Sequence, residues 1–211
     1  MDMFLTAFTA GLLLITLSEL GDKSFFIALC LAMRHRRRWV FAGSVAALAL
    51  MTILSVLLGR VIALLPSPLT HWGTIAVFLG FGLKLLYDAS QMPQMPDCAA
   101  EAEALATVTN APIIAKSSPV RVISQTFVMT FFAEWGDRTQ FATITLAAVH
   151  PPGGVAIGAI LGHAVCSMIA VFSGRFVAGH LSERVITAMG GALFLLFALV
   201  TGWEGMSHPG S

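Results

Sequence analysis

Two stretches of the chain are versions of one eight-residue phrase: Glu19-Leu20-Gly21-Asp22-Lys23-Ser24-Phe25-Phe26 and Glu134-Trp135-Gly136-Asp137-Arg138-Thr139-Gln140-Phe141. Each copy sits in an apolar stretch that otherwise carries no charge. Ionisable groups in such a setting are costly to desolvate and point to function. On a continuous helix Glu19 and Asp22, three residues apart, would share a face, as would Glu134 and Asp137. Gly21 and Gly136 would let a neighbouring helix or an ion approach backbone carbonyls. Ser24 and Thr139 add hydroxyls, and Gln140 an amide. The donors are hard oxygens with no cysteine or histidine beside them. That set suits Ca²⁺, Mn²⁺ or Mg²⁺ and disfavours Cu(I) or a structural zinc.

Each copy holds two acids and one base, Lys23 or Arg138, so the two together carry about −2 when every acid is ionised. One divalent cation would neutralise that charge. Without it, desolvation and like-charge crowding oppose four ionised carboxylates, and protons would take the ion's place. Competition between metal and protons for one site is the physical basis of antiport. The plainer alternative is that the acids only pair with Lys23 and Arg138 to hold helices together. That would account for a single buried ion pair, but poorly for two copies in matching places.

The surroundings are those of a membrane. The 211 residues are 57% hydrophobic and 11% charged, with mean hydropathy +0.85, against about a quarter charged in soluble domains. A net charge of +1 and the lack of a basic stripe argue against nucleic-acid binding. Cys30, Cys98 and Cys166 are scattered and read as packing residues rather than a disulfide or thiolate framework. The start, Met1-Asp2-Met3-Phe4, lacks a basic leader region and reads as the beginning of a retained helix.

Six stretches are long and apolar enough to span as helices: 3–33, 39–58, 71–87, 122–149, 153–173 and 185–203. The first and fourth contain the motifs. A straight helix over 3–33 would reach about 45 Å, against a hydrocarbon core of roughly 30 Å, so a tilt or a break at Gly21 is expected. Residues 91–119 are rich in proline, alanine and small polar residues and read as a mobile linker. Gly154, Gly158 and Gly162 at four-residue spacing predict a smooth face for close helix packing. His163 reads as a hydrogen-bonded packing histidine, with proton relay or ligand as the other possibilities.

Glu19 and Glu134 lie 115 residues apart, as do Gly43 and Gly158, and Gly59-Arg60 and Gly174-Arg175. One constant offset predicts internal duplication. The expected fold is an all-α integral membrane protein of six transmembrane helices in two inverted three-helix repeats, 1–90 and 119–211, joined by a linker at 91–118. The odd helix count makes the second half enter from the opposite side. Arg34, Arg36, Arg37 and Arg38 place the first loop, and with it the linker, in the cytoplasm. Both termini are then extracytoplasmic.

The doubled E-x-G-D-K/R-S/T signature, within six helices divided three and three by an acidic linker, resembles the Gdt family of Mn²⁺/Ca²⁺ transporters. The resemblance covers nearly the whole chain. That family has members in bacterial plasma membranes, chloroplasts and the Golgi. It implies a transporter rather than an enzyme, with no catalytic residues and no resident cofactor. Its cargo would be Mn²⁺, or Ca²⁺ in some members, exported from the cytoplasm across a lipid bilayer, here the bacterial plasma membrane, in exchange for protons. Carried onto this chain, the family's acidic metal site falls on Glu19, Asp22, Glu134 and Asp137. Gly21, Lys23, Ser24, Gly136, Arg138, Thr139 and Gln140 complete the motifs. The chain departs at Phe25, where the first motif often has a polar residue, so the site is expected to be chemically lopsided. Two other readings remain open: an exporter of amino acids or small organic cations, and an intramembrane aspartyl protease using the paired Gly-Asp elements.

Overall fold

A computed structural model describes residues 2–92, 99–110, 118–178 and 182–207, and these are helical with no strand. In lipid a backbone must satisfy its own polar groups, so apolar segments of this kind form helices. The first half comprises α1 (Asp2–Glu19), α2 (Lys23–Arg34), α3 (Arg37–Ile62) and α4 (Ser67–Gln91). α5 (Ala99–Asn110) follows, and the second half comprises α6 (Pro119–Ala133), α7 (Arg138–Val149), α8 (Pro152–Ala178) and α9 (Glu183–Ser207). Shifting the first-half boundaries by 115 residues reproduces those of the second half to within two residues. Four helices, α3, α4, α8 and α9, are long and apolar enough to cross a membrane. The α1–α2 pair makes a fifth candidate if it counts as one span bent by 66°.

Both motif-bearing segments are broken rather than continuous. Gly21 and Gly136 take up positive φ, +76° and +82°, a region that costs a side-chain-bearing residue steric energy. The expectation that Glu19 and Asp22 share a face of one helix is therefore corrected. Glu19 ends α1 and Asp22 is the N-cap of α2; Glu134 is the C-cap of α6 and Asp137 the N-cap of α7. Aspartate is a favoured N-cap because its carboxylate can accept from exposed amides of the first turn. Of the tilt or break expected at Gly21, the break is present, and the second motif has its counterpart at Gly136.

α1 packs along α8, and α6 along α3 in the same way. The glycine face expected on α8 serves this contact: a Cβ at Gly158 would collide with the carbonyl oxygen of Phe8, and one at Gly154 would come 2.7 Å from that of Phe4. At the matching position in the first half, a Cβ at Gly43 would stand 2.6 Å from the carbonyl oxygen of Ile123 on α6. Backbones in contact leave no room to yield, so Gly158→Leu should lower stability by about 3 kcal/mol, the upper end for overpacking. Gly73→Ala, at a position with nothing within 4 Å, should be neutral. Thermal unfolding of both variants in detergent checks this, and equal melting temperatures would refute it.

α4 pairs with α9 through Phe78 and Phe194, rings 5.9 Å apart. α2 is enclosed, with every residue from Ser24 to Ala32 buried. Part of its cover is α5, within the stretch expected to be only a mobile linker. The run Ala99-Ala100-Glu101-Ala102-Glu103-Ala104-Leu105-Ala106 has high helix propensity, and Ala104 and Val108, one turn apart, are buried in the same apolar cluster as α2. Arg34 donates to the Val108 carbonyl and the Thr109 hydroxyl, both at 3.3 Å, a cation on the electronegative end of α5. The Pro93-Gln94-Met95-Pro96 run and Cys98 lie outside the described residues.

Candidate cation site

The two helix breaks deliver the motifs to one place. In each, the aspartate amide donates to the glutamate carbonyl three residues back, at 3.2 Å for both Asp22→Glu19 and Asp137→Glu134. This identical tight turn aims both glutamates inward: Glu19 is 1% and Glu134 4% exposed. One carboxylate oxygen from each of Glu19, Glu134 and half-buried Asp137 lies within 4.8 Å of the other two. These residues come from both halves of the chain. The C-terminal carbonyls of α1 and α6 end at the same breaks and add partial negative charge. Three converging oxygens of this kind are a donor set that a hard divalent cation could take.

The neighbouring groups hold the carboxylates in place. Ser24 donates its hydroxyl to Glu19 Oε2 at 3.1 Å. The Thr139 backbone amide and hydroxyl donate to Asp137 Oδ2 at 3.3 and 3.2 Å. Gln140 Oε1 accepts from the Gly136 amide at 2.8 Å, closing the second turn. Its counterpart Phe25 is buried and apolar, so the expected lopsidedness is present in the side chains. Lys23 opens α2 as Arg138 opens α7.

Asp22 stands apart from the three-carboxylate group. Its Oδ2 is 3.5 Å from Arg138 Nη2, and the same guanidinium nitrogen donates to the Ser18 carbonyl at 3.4 Å. Arg138 thus crosses from the second half to clamp the end of α1. The pair borders a cleft of about 150 Å³ that also touches Leu85, Met92, Ile186, Thr187 and Gly190. Met92 follows the last residue of α4, and Ile186 lies in the first turn of α9. The cleft therefore opens at the end of the α4–α9 pair from which the linker leaves.

Glu134 borders a separate void of about 10 Å³, lined also by Thr139, Gln140 and Thr143 of the α6–α7 segment, Thr52 and Ser55 of α3, and His163 of α8. Thr52, Ser55 and Thr143 donate their protons to carbonyls one turn back at 2.8–2.9 Å. Their oxygen lone pairs stay available to the void, a lining suited to a cation or its water. Of the buried polar atoms without partners among the described residues, Thr16 Oγ1, Ser18 Oγ, Glu19 Oε1, Arg138 Nε and His163 Nδ1 lie in or beside the motifs, and Gln125 Oε1, Thr126 Oγ1 and Thr130 Oγ1 lie along α6. Such atoms are rare in folded chains and call for a ligand or water.

Sequence reasoning missed Thr52, Ser55 and Thr143, which look like ordinary helix residues, and assigned His163 to packing. The signal for His163 was its isolation in an apolar helix. It is not a hydrogen-bonded packing residue at Nδ1; that atom faces Glu19 Oε1 at 3.8 Å without a hydrogen-bond partner.

The model of the divalent cation/proton antiporter GDT1 family matches residues 7–93 and 122–209. The chain is 51% identical over 201 residues to a GDT1-like protein of Synechocystis sp., covering 94% of this chain and 98% of that one. It is 43% identical over 212 residues to the chloroplastic GDT1-like protein 2 of Oryza sativa subsp. japonica. It is 40% identical over 211 residues to the chloroplastic PAM71-homolog of Arabidopsis thaliana. Each plant match covers 93% of this chain and about three-fifths of the longer plant protein, 60% and 59% respectively. No solved structure matches the chain.

Proposed function

The chain belongs to the GDT1 family of divalent cation/proton antiporters, and from that premise we infer that it exports Mn²⁺, with Ca²⁺ as second cargo, from the cytoplasm in exchange for protons. It is an integral membrane transporter, not an enzyme, so the aspartyl-protease reading falls away. The observation that carries the proposal is the convergence of Glu19, Glu134 and Asp137 from two broken helices, with donor oxygens within 4.8 Å of one another. That spacing suits a bare ion and leaves no room among the carboxylates for an amino acid or organic cation.

The fold proposed for this activity is six spans in two inverted repeats, α1–α2, α3 and α4 against α6–α7, α8 and α9. The common 115-residue offset of the helix boundaries and the matched α1–α8 and α6–α3 packing support it. The plasma membrane is the proposed location, with the linker cytoplasmic and both termini outside. Docking of α5 beside Arg34 supports the linker and the first loop sharing one side. On this topology the cleft beside Asp22 and Arg138 opens to the cytoplasm, and the ion enters there, past Asp22, to the three carboxylates. The hydroxyl-lined void between α3 and α7 is the proposed way out toward the opposite face. Protons replace the metal on the same carboxylates for the return step, since the empty site cannot cheaply keep them all ionised.

The test is reconstitution of the full chain into liposomes holding a pH-sensitive dye, with Mn²⁺, Ca²⁺ and Mg²⁺ added in parallel at clamped potential. Metal entry with matching proton exit is expected. Metal entry without proton movement would leave a uniporter or channel.

A further inference from the structure

We propose that His163 is a fourth ligand to the transported ion and biases the site toward first-row transition-metal dications over Ca²⁺ and Mg²⁺. The inference rests on the antiport reading above and deepens it by naming a further ligand and the residue that sets the metal preference.

His163 lies in the middle of α8, a helix apolar along almost its whole length. It is 5% exposed, and its Nδ1 has no hydrogen-bond partner. The atom it faces, Glu19 Oε1 at 3.8 Å, has no partner either. The other oxygen of Glu19 is held by Ser24 at 3.1 Å, which fixes the carboxylate so that Oε1 stays turned toward the ring. Two donors bound to one ion at about 2.1 Å stand roughly 3–4 Å apart. The observed separation is too long for a hydrogen bond and right for two ligands of a shared cation. With its proton on Nε2, the ring presents the Nδ1 lone pair to that position. The same imidazole lines the void that Glu134 also borders, at the edge of the group of three carboxylates whose oxygens lie within 4.8 Å of one another, so joining them on one ion takes a small side-chain shift.

The ligand set is then oxygen from three carboxylates and one neutral nitrogen. Ca²⁺ takes oxygen almost exclusively and Mg²⁺ releases water reluctantly, whereas imidazole is a good ligand for d-block dications. The duplication sharpens the argument. Position 48, which matches 163 at the 115-residue offset, is leucine, and Leu48 lines the same void. A pure packing role is thus already filled by an aliphatic side chain in the other half. The nitrogen is an addition made in one repeat only.

The test uses the full chain in liposomes, with initial rates for Mn²⁺ and Ca²⁺ measured separately for wild type, His163→Gln and His163→Leu. His163→Gln, which offers an amide oxygen, should slow Mn²⁺ transport more than Ca²⁺ transport and lower the Mn²⁺-to-Ca²⁺ rate ratio by about tenfold, in the range seen when groups around a metal are altered. His163→Leu should lower the ratio in the same direction. Unchanged ratios in both variants would overturn the proposal. A second measurement needs no variant: pulsed EPR of Mn²⁺ bound to the purified protein should show nitrogen coupling that changes when histidine is supplied as the ¹⁵N form. Bound Mn²⁺ without that coupling also overturns it. Wild-type liposomes that move neither metal would instead defeat the antiport reading on which the proposal stands.

Discussion

Glu134→Gln should abolish metal transport while leaving the protein as stable as before or more so. The amide keeps the shape of the carboxylate but removes one of three converging charges and with it a proposed proton carrier. The net charge over the two motifs falls from about −2 to about −1, and the loss expected is on the order of 100-fold in rate. Stability should move the other way, because an empty site of crowded carboxylates is under electrostatic strain that the substitution relieves. Metal linkage gives an independent readout. In the wild type, metal at a hundred times its dissociation constant should add about 2.7 kcal/mol to stability, and the variant should show no such shift. Glu19→Gln should behave alike, since Glu19 is the matching residue and equally buried. Uptake assays beside metal-dependent melting curves decide it. Wild-type uptake by either variant would mean that the carboxylates do not hold the cargo.

What could be read from the sequence here was mostly set by local chemistry and by duplication. The motif acids announced themselves because charge in an apolar span has few innocent explanations. The 115-residue offset found in Glu19/Glu134 and Gly43/Gly158 extends to the helix boundaries. The glycine face of α8 was legible because close packing leaves a periodic trace. The shape of the motif was not. A three-residue spacing places two carboxylates on one helical face only if the helix continues, and the positive φ of Gly21 and Gly136 ends it between them. The break was foreseeable from length, but its consequence was not. It separates Asp22 from Glu19 and leaves Asp22 to a partner 116 residues away, Arg138.

α5 was hidden for a different reason. Its alanine-rich run is too short and too weakly amphipathic to declare a buried face, and only the apolar surface of α2 makes Ala104 and Val108 core residues. His163 shows the limit of judging residues singly. On its own it is an ordinary polar residue in a membrane helix, and its significance depends on a glutamate 144 residues earlier in the chain. The hydroxyls of Thr52, Ser55 and Thr143 are similar, acquiring meaning from a shared void.

The standing of Asp22 leads to the second large expected effect. Because Asp22 pairs with Arg138 outside the three-carboxylate group, the role expected of it in this arrangement is to hold a cation away from the cargo. Asp22→Asn should therefore weaken Mn²⁺ transport severely, because it removes one partner of a partly buried ion pair and frees its cation. The freed guanidinium begins α7, next to Asp137, and would swing toward the carboxylates as a tethered competitor of the metal. Removing the competitor as well should undo much of the damage. Asp22→Asn combined with Arg138→Gln restores the net charge of about −2 across the two motifs, and apparent Mn²⁺ affinity should return to within several-fold of wild type, a strong positive coupling in a double-mutant cycle. Arg138→Gln alone leaves Asp22 unpaired beside the cleft. It should tighten metal binding and slow its release, lowering turnover at saturating metal. The opposite outcome is equally readable. If Asp22 leaves Arg138 to ligate the ion during transport, the double variant lacks a ligand and will transport no better than Asp22→Asn alone. Mn²⁺ flux titrations on the four proteins of the cycle separate a counter-ion from a ligand.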